Sequence, residues 1–184
     1  MALDMAIKAI IAISQKGFEQ EAYHEIMRAT ARKNIITFTA ALLKTGCVGY
    51  KGEGILPNMK FDEITVEHYN AVVFVSGGAS AYHNNPLALK LVKEFYEQGK
   101  VVAAVGDAIP ILANAGVLNG KRIACDDAEK EIVSSLAEIV DEGVSVDGRI
   151  VTAKSGFAKD FAEKLSDVLV EIGIQKFQRK GVEL

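Results

Sequence analysis

Cysteine is scarce in this chain, a strong excess of either charge is missing, and no long apolar run occurs. Cys47 and Cys125 are too few for a disulfide framework, and the first residues carry no secretory arrangement of basic, apolar and cleavage segments. A reduced, cytoplasmic setting is therefore expected. Against 21 Lys and Arg stand 24 Asp and Glu, a net charge of -3 with the two signs interspersed. That balance argues against a nucleic-acid footprint and against a polybasic membrane surface. No apolar stretch approaches the roughly 20 residues that cross a bilayer. Repeats, low-complexity tracts and linkers are also absent, so a small-molecule or protein partner is expected.

What is present fits one domain. The 184 residues are 49% hydrophobic, enough for a sizeable core. Ala6 to Ser14 is a near-continuous apolar strand. Phe18, Ala22, Ile26 and Ala29 then recur at helical spacing within a helix over 18–33. Strands are expected at 35–40, 71–75, 101–105 and 122–124. Helices are expected at 86–98, after the turn at 106, at about 128–140 and at about 157–172. The Gly-rich passage from Gly46 to Gly54, with Tyr50, reads as a hairpin or lid. Asp147-Gly148 reads as the tight turn of a second hairpin over 144–152. Alternating buried strands and helices predict an α/β fold: a mostly parallel sheet covered on both faces, with one edge hairpin. The core is expected over about 6–172, with a polar tail after Gly173 that docks or mediates assembly.

The stretch from Val101 to Gly116 carries the most information. A buried strand, Val101–Val105, turns at Gly106 into a helix whose start holds Asp107 as an available cap and Pro110 in the tolerant first turn. Such strand-to-helix elbows hold a strained Ser or Cys with amides nearby for an oxyanion. Glycine adopts the backbone angles without strain but brings no nucleophile.

With Val72–Gly78, Val101–Val105, Leu112–Gly120 and Val146–Ala153 in this order, the chain resembles the ThiJ/PfpI superfamily over roughly residues 6–172. The resemblance implies a flavodoxin-like three-layer sandwich, usually dimeric or hexameric. Members include protein and nucleotide deglycases, glyoxalases that need no added cofactor, intracellular peptidases, chaperones and isocyanide hydratases. It further implies an elbow cysteine, commonly followed by histidine, and a glutamate from the first helix. Those positions fall on Gly106, Asp107 and Ala22. A one-residue shift would bring Glu21 into the glutamate's role and leave Glu19 a solvated acid at the helix start. The family's later histidine falls near Asp126, and the Gly77-Gly78 turn that lines the oxyanion site is retained. A single engineered Cys-to-Gly change would explain Gly106 alone, whereas natural divergence covers all three departures.

Several residues are candidates to replace the cysteine, each with a plainer reading. Asp107 could act as a weak base, or simply cap the helix. Cys125 could attack a substrate, although Asp126 and Asp127 disfavour its thiolate and a structural thiol is the simpler reading. The acids Asp126, Asp127, Glu129 and Glu131 could hold a divalent cation, but Asp126 and Glu129 also have capping-box spacing. His83 could reach a ligand at the sheet's carboxyl edge or stay exposed, and His24 and His68 read as surface positions. The Cys47 loop could cover the pocket, or Cys47 could be a small buried hydrophobe. The first expectation is a non-catalytic binding or structural module in which the amides of Gly77, Gly78 and Gly106, with Asp107 and His83 alongside, hold a small anionic or carbonyl ligand. Neither metal nor cofactor is expected, and a homodimer or larger homo-oligomer is. The alternative is a divergent hydrolase or lyase using Glu21, Asp107, Cys125 or His83. A third reading is an oligomeric chaperone.

Overall fold

In chain order the elements are β1 (Lys8–Ala12), β2 (Lys16–Phe18), α1 (Gln20–Arg32), β3 (Ile36–Ala41), β4 (Cys47–Gly49), β5 (Gly54–Ile55), β6 (Met59–Lys60) and β7 (Ala71–Phe74). There follow α2 (Pro86–Glu97), β8 (Val101–Val105), α3 (Ile109–Asn114), β9 (Arg122–Ile123), α4 (Asp127–Val133), β10 (Glu138–Ile139), β11 (Val144–Asp147), β12 (Ile150–Ala153) and α5 (Ala158–Arg179). The structure is a computed structural model and describes residues 6–179. Seven strands form the central sheet in the order β11-β12-β8-β7-β1-β3-β6, parallel throughout except for the β11–β12 edge hairpin. The expected flavodoxin-like arrangement is thus the observed one.

The two-residue period of the strands splits the core into two layers. Ile10, Val72, Phe74, Val102 and Ala104 face α2 and α3. Their alternates Ala9, Ile11, Val73, Val101 and Ala103 face α1 and α5. The α1 side chains that reach this second layer are Ala22, Tyr23, Ile26 and Ala29, at the spacing read from the sequence. Helix α2 begins where expected because Asn85 accepts from the amides of Leu87 (3.0 Å) and Ala88 (3.1 Å) ahead of Pro86's ring.

Two expectations are corrected. The helix expected to reach residue 140 ends at Val133. There the amide of Gly120 bonds Leu136 O at 2.9 Å and the amide of Glu138 bonds Lys121 O at 2.8 Å, drawing residues 138–139 into parallel pairing with β9. Tertiary pairing outweighs the helical pattern of that segment. Helix α5 does not stop at Gly173 but runs to Arg179, so 173–179 is not a separate tail; residues 180–184 lie outside the described residues. A Cβ at Gly173 would crowd the Ile7 side chain at 2.6 Å, so this glycine permits close packing and is no helix stop. The passage over 46–54 is a hairpin, as one of its two readings had it, and it extends β2 into a second, three-stranded sheet.

From β1 the chain moves to β3 on one side, then returns to place β7 on the other. The crevice beyond the carboxyl ends of β1 and β7 is therefore a topological switch point, where open α/β sheets bind ligands. The segments after β1, β7 and β8 all arrive there.

Candidate functional site

The floor of the crevice is the turn after β8. Gly106 is buried and has φ +57°, the left-handed region expected of an elbow. A Cβ built on it would lie 2.6 Å from Ser155 Oγ, 3.1 Å from Ser76 Cβ and 3.8 Å from Asp126 Oδ2. All three of those residues line an open pocket of about 510 Å³.

The opposite wall is the turn after β7. Gly77 and Gly78 have φ +90° and +64°, and a methyl group on either would overlap the carbonyl oxygen of Gly17 or Lys16. Close approach of the segment after β1 thus requires both glycines. The Ser14 hydroxyl secures that contact, lying 2.7 Å from Gly77 O and 2.9 Å from Lys16 O.

Asp107 joins the two turns. Its carboxylate does not cap α3. Instead Oδ1 accepts from the Gly77 amide at 2.7 Å and Oδ2 from the Ala79 amide at 3.1 Å. The expected capping is corrected because these amides, freed by the left-handed turn, lie within reach of both carboxylate oxygens, while α3 opens through a 3-10 turn at Gly106–Ala108. His83 donates from Nε2 to the Asp107 carbonyl at 2.6 Å, and its own carbonyl accepts from Asn114 Nδ2 at 2.7 Å. It braces the elbow from behind and does not line the pocket.

The remaining wall is acidic. Glu19 precedes α1 and accepts from the Ser76 hydroxyl, while its amide bonds Ser76 O at 2.8 Å. Asp126 Oδ2 accepts from the Ser155 amide at 2.9 Å, so it too forgoes side-chain capping of α4. Glu129 is 8% exposed and its Oε2 has no hydrogen-bond partner. Burial, reinforced by Asp126 and Asp107, raises the Glu129 carboxyl pKa, against the opposing hydrogen bond from its own backbone amide and the smaller influence of His83. Tyr50, from the loop between β4 and β5, also lines the pocket. That loop is clamped to α1 by Gln20 Oε1, which accepts from the amides of Lys51 (2.7 Å) and Glu53 (3.3 Å).

The family model described as DJ-1/PfpI matches residues 8–168. The chain belongs to the DJ-1/PfpI family. It is 34% identical over 153 residues to an uncharacterized protein of Methanocaldococcus jannaschii, covering 80% of this chain and 75% of that one. It is 26% identical over 137 residues to a deglycase of Pyrococcus abyssi, covering 73% and 76%. Among solved structures it superposes on a ThiJ/PfpI domain protein from Brachyspira murdochii with a TM-score of 0.87 and 28% identity, covering 90% and 98%.

Within this DJ-1/PfpI chain, Gly77 and Asp107 line the pocket, and Gly106 lies buried beside it against Ser76 and Ser155. Gly78 supports the turn from outside the pocket lining. The other candidates lie elsewhere. Ala22, at the position implied for the family glutamate, is buried in the core beneath α1. Glu21 points to solvent and pairs with Lys51, which lowers its pKa. The helix acid at the pocket is Glu19, not Glu21, so the solvated role expected for Glu19 is corrected. Residues 17–19 turn inward to bond Ser76 before α1 begins. Cys125 is fully buried in the layer against α2 and α3, and burial first, then Glu129, raises its thiol pKa. Cys47 is buried as expected. No three His, Cys, Asp or Glu converge on a metal-binding geometry among the described residues. Sequence reading missed the site roles of Ser76, Ser155 and Glu129. Ser76 and Ser155 each lie two residues past the carboxyl end of a parallel strand, a placement that marks site residues in open α/β sheets.

Proposed function

We propose that this DJ-1/PfpI domain works without the family's cysteine chemistry, as a non-catalytic module that binds a small molecule in the elbow pocket. The observation that carries this reading is the engagement of the Gly77 and Ala79 amides by the Asp107 carboxylate. Amides beside an elbow stabilise an anionic transition state only when they are free to meet the developing oxygen. Here a fixed carboxylate holds them, and position 106 supplies no sulfur for attack. The amide-held anion or carbonyl compound expected from the sequence is therefore not the ligand class proposed. The deglycase name belongs to relatives such as the Pyrococcus abyssi protein. The test is methylglyoxal turnover by the purified protein and by Cys125→Ser. Both should match the buffer blank, and a protein-dependent rate that falls in Cys125→Ser would overturn the reading.

A further inference from the structure

We propose that the elbow pocket binds a small organic cation carrying ammonium or amidinium groups, with Glu129 as the carboxylate that meets it. This deepens the reading of the pocket as a binding site and rests on it. Among the described residues, four carboxylates line the cavity, those of Glu19, Asp107, Asp126 and Glu129, and no Lys, Arg or His does. Three already have neutral donors: the Gly77 and Ala79 amides for Asp107, the Ser76 hydroxyl for Glu19 and the Ser155 amide for Asp126.

The Oε2 atom of Glu129 is the exception: the residue's own backbone amide reaches the carboxyl group, but this buried oxygen has no donor. A carboxyl oxygen shut away from water without a donor is costly, and a donor brought by a ligand removes that cost. An ammonium brings three N–H donors and the compensating charge, and an amidinium brings a planar pair suited to a carboxylate. An anion would meet like charge on every side. A divalent metal needs several converging oxygens, which the described residues do not provide. Tyr50 and Ala128 in the wall offer apolar contact to a ligand's methylenes.

Burial and the carboxylates of Asp126 and Asp107 raise the Glu129 pKa, and a bound cation favours its ionised form, so binding should release protons to the buffer. His83 also faces Glu129, and the neighbouring Cys125 thiol is influenced in opposite directions by Glu129 and Lys130.

The test is calorimetric titration of the full chain at low salt with 1,4-diaminobutane, 1,4-butanediol and succinate, run in two buffers of different ionisation enthalpy. The diamine should bind one to one, at least tenfold more tightly than the diol or succinate, with a buffer-dependent heat that reports proton release. Glu129→Gln should weaken the diamine at least tenfold and abolish the buffer dependence. Asp126→Asn, which keeps an acceptor for the Ser155 amide, should also weaken it and serves should Glu129→Gln not fold. Equal binding of succinate or the diol, competition by a one-to-one magnesium or calcium site, diamine affinity unchanged in the folded variants, or no diamine binding at all would each overturn the inference. Absence of diamine binding by a protein without turnover leaves the non-catalytic reading standing, whereas turnover would fail that reading directly.

Discussion

Position 106 shows what one residue decides. The left-handed φ favours glycine, since an L side chain there costs about 1–2 kcal/mol. The built Cβ also presses on Ser155 Oγ at 2.6 Å, so Ser155 must shift to admit any side chain. Gly106→Ala is therefore expected to lower unfolding free energy by about 2 kcal/mol, read from the denaturant midpoint at unchanged slope. A variant as stable as the parent would contradict the elbow geometry. The same contact implies that a cysteine introduced here would not fit unless Ser155 gave way.

At the scale of elements, the strands were the legible part. Val101–Val105 matches the observed β8, and the 144–153 hairpin lies where Asp147-Gly148 predicted it, because buried parallel strands read as unbroken apolar runs and tight turns have narrow chemistry. What failed was whatever depended on contacts distant in sequence. Residues 134–140 have a helical pattern, but pairing with residues 120–123 claims their backbone. Asp107 and Asp126 sit where helix caps sit, yet partners 28 to 30 residues away take their carboxylates. Glu19 looked solvated because sequence does not show the segment after β1 folding over Ser76. Within the candidate site, the elbow and the Gly-Gly turn were visible in the sequence, whereas the role of the acids was not, since local spacing offered Asp107, Asp126 and Glu129 a capping explanation.

At the scale of the whole molecule, the acidic pocket links stability to pH. Glu129 has a folded-state pKa raised above its unfolded value, so its contribution is fully present below the unfolded value near 4.5 and is lost as pH rises through the folded one. Glu129→Gln should remove that slope. The variant is expected to match the parent near pH 4 and to be the more stable of the two at pH 8, measured by denaturant unfolding at both values. A variant that is less stable at pH 8 would contradict a buried, unpartnered carboxyl. The crevice, the two turns and their bridging acid together define the central claim, that the Asp107 carboxylate holds the Gly77 and Ala79 amides beside the elbow. Amide proton and nitrogen shifts of Gly77 and Ala79 test it most directly. Both amide protons should move upfield in Asp107→Asn, and in the parent at constant pH neither should respond to added acetate or methylglyoxal. Saturable movement of both on adding acetate, with Asp107→Asn leaving them in place, would contradict it.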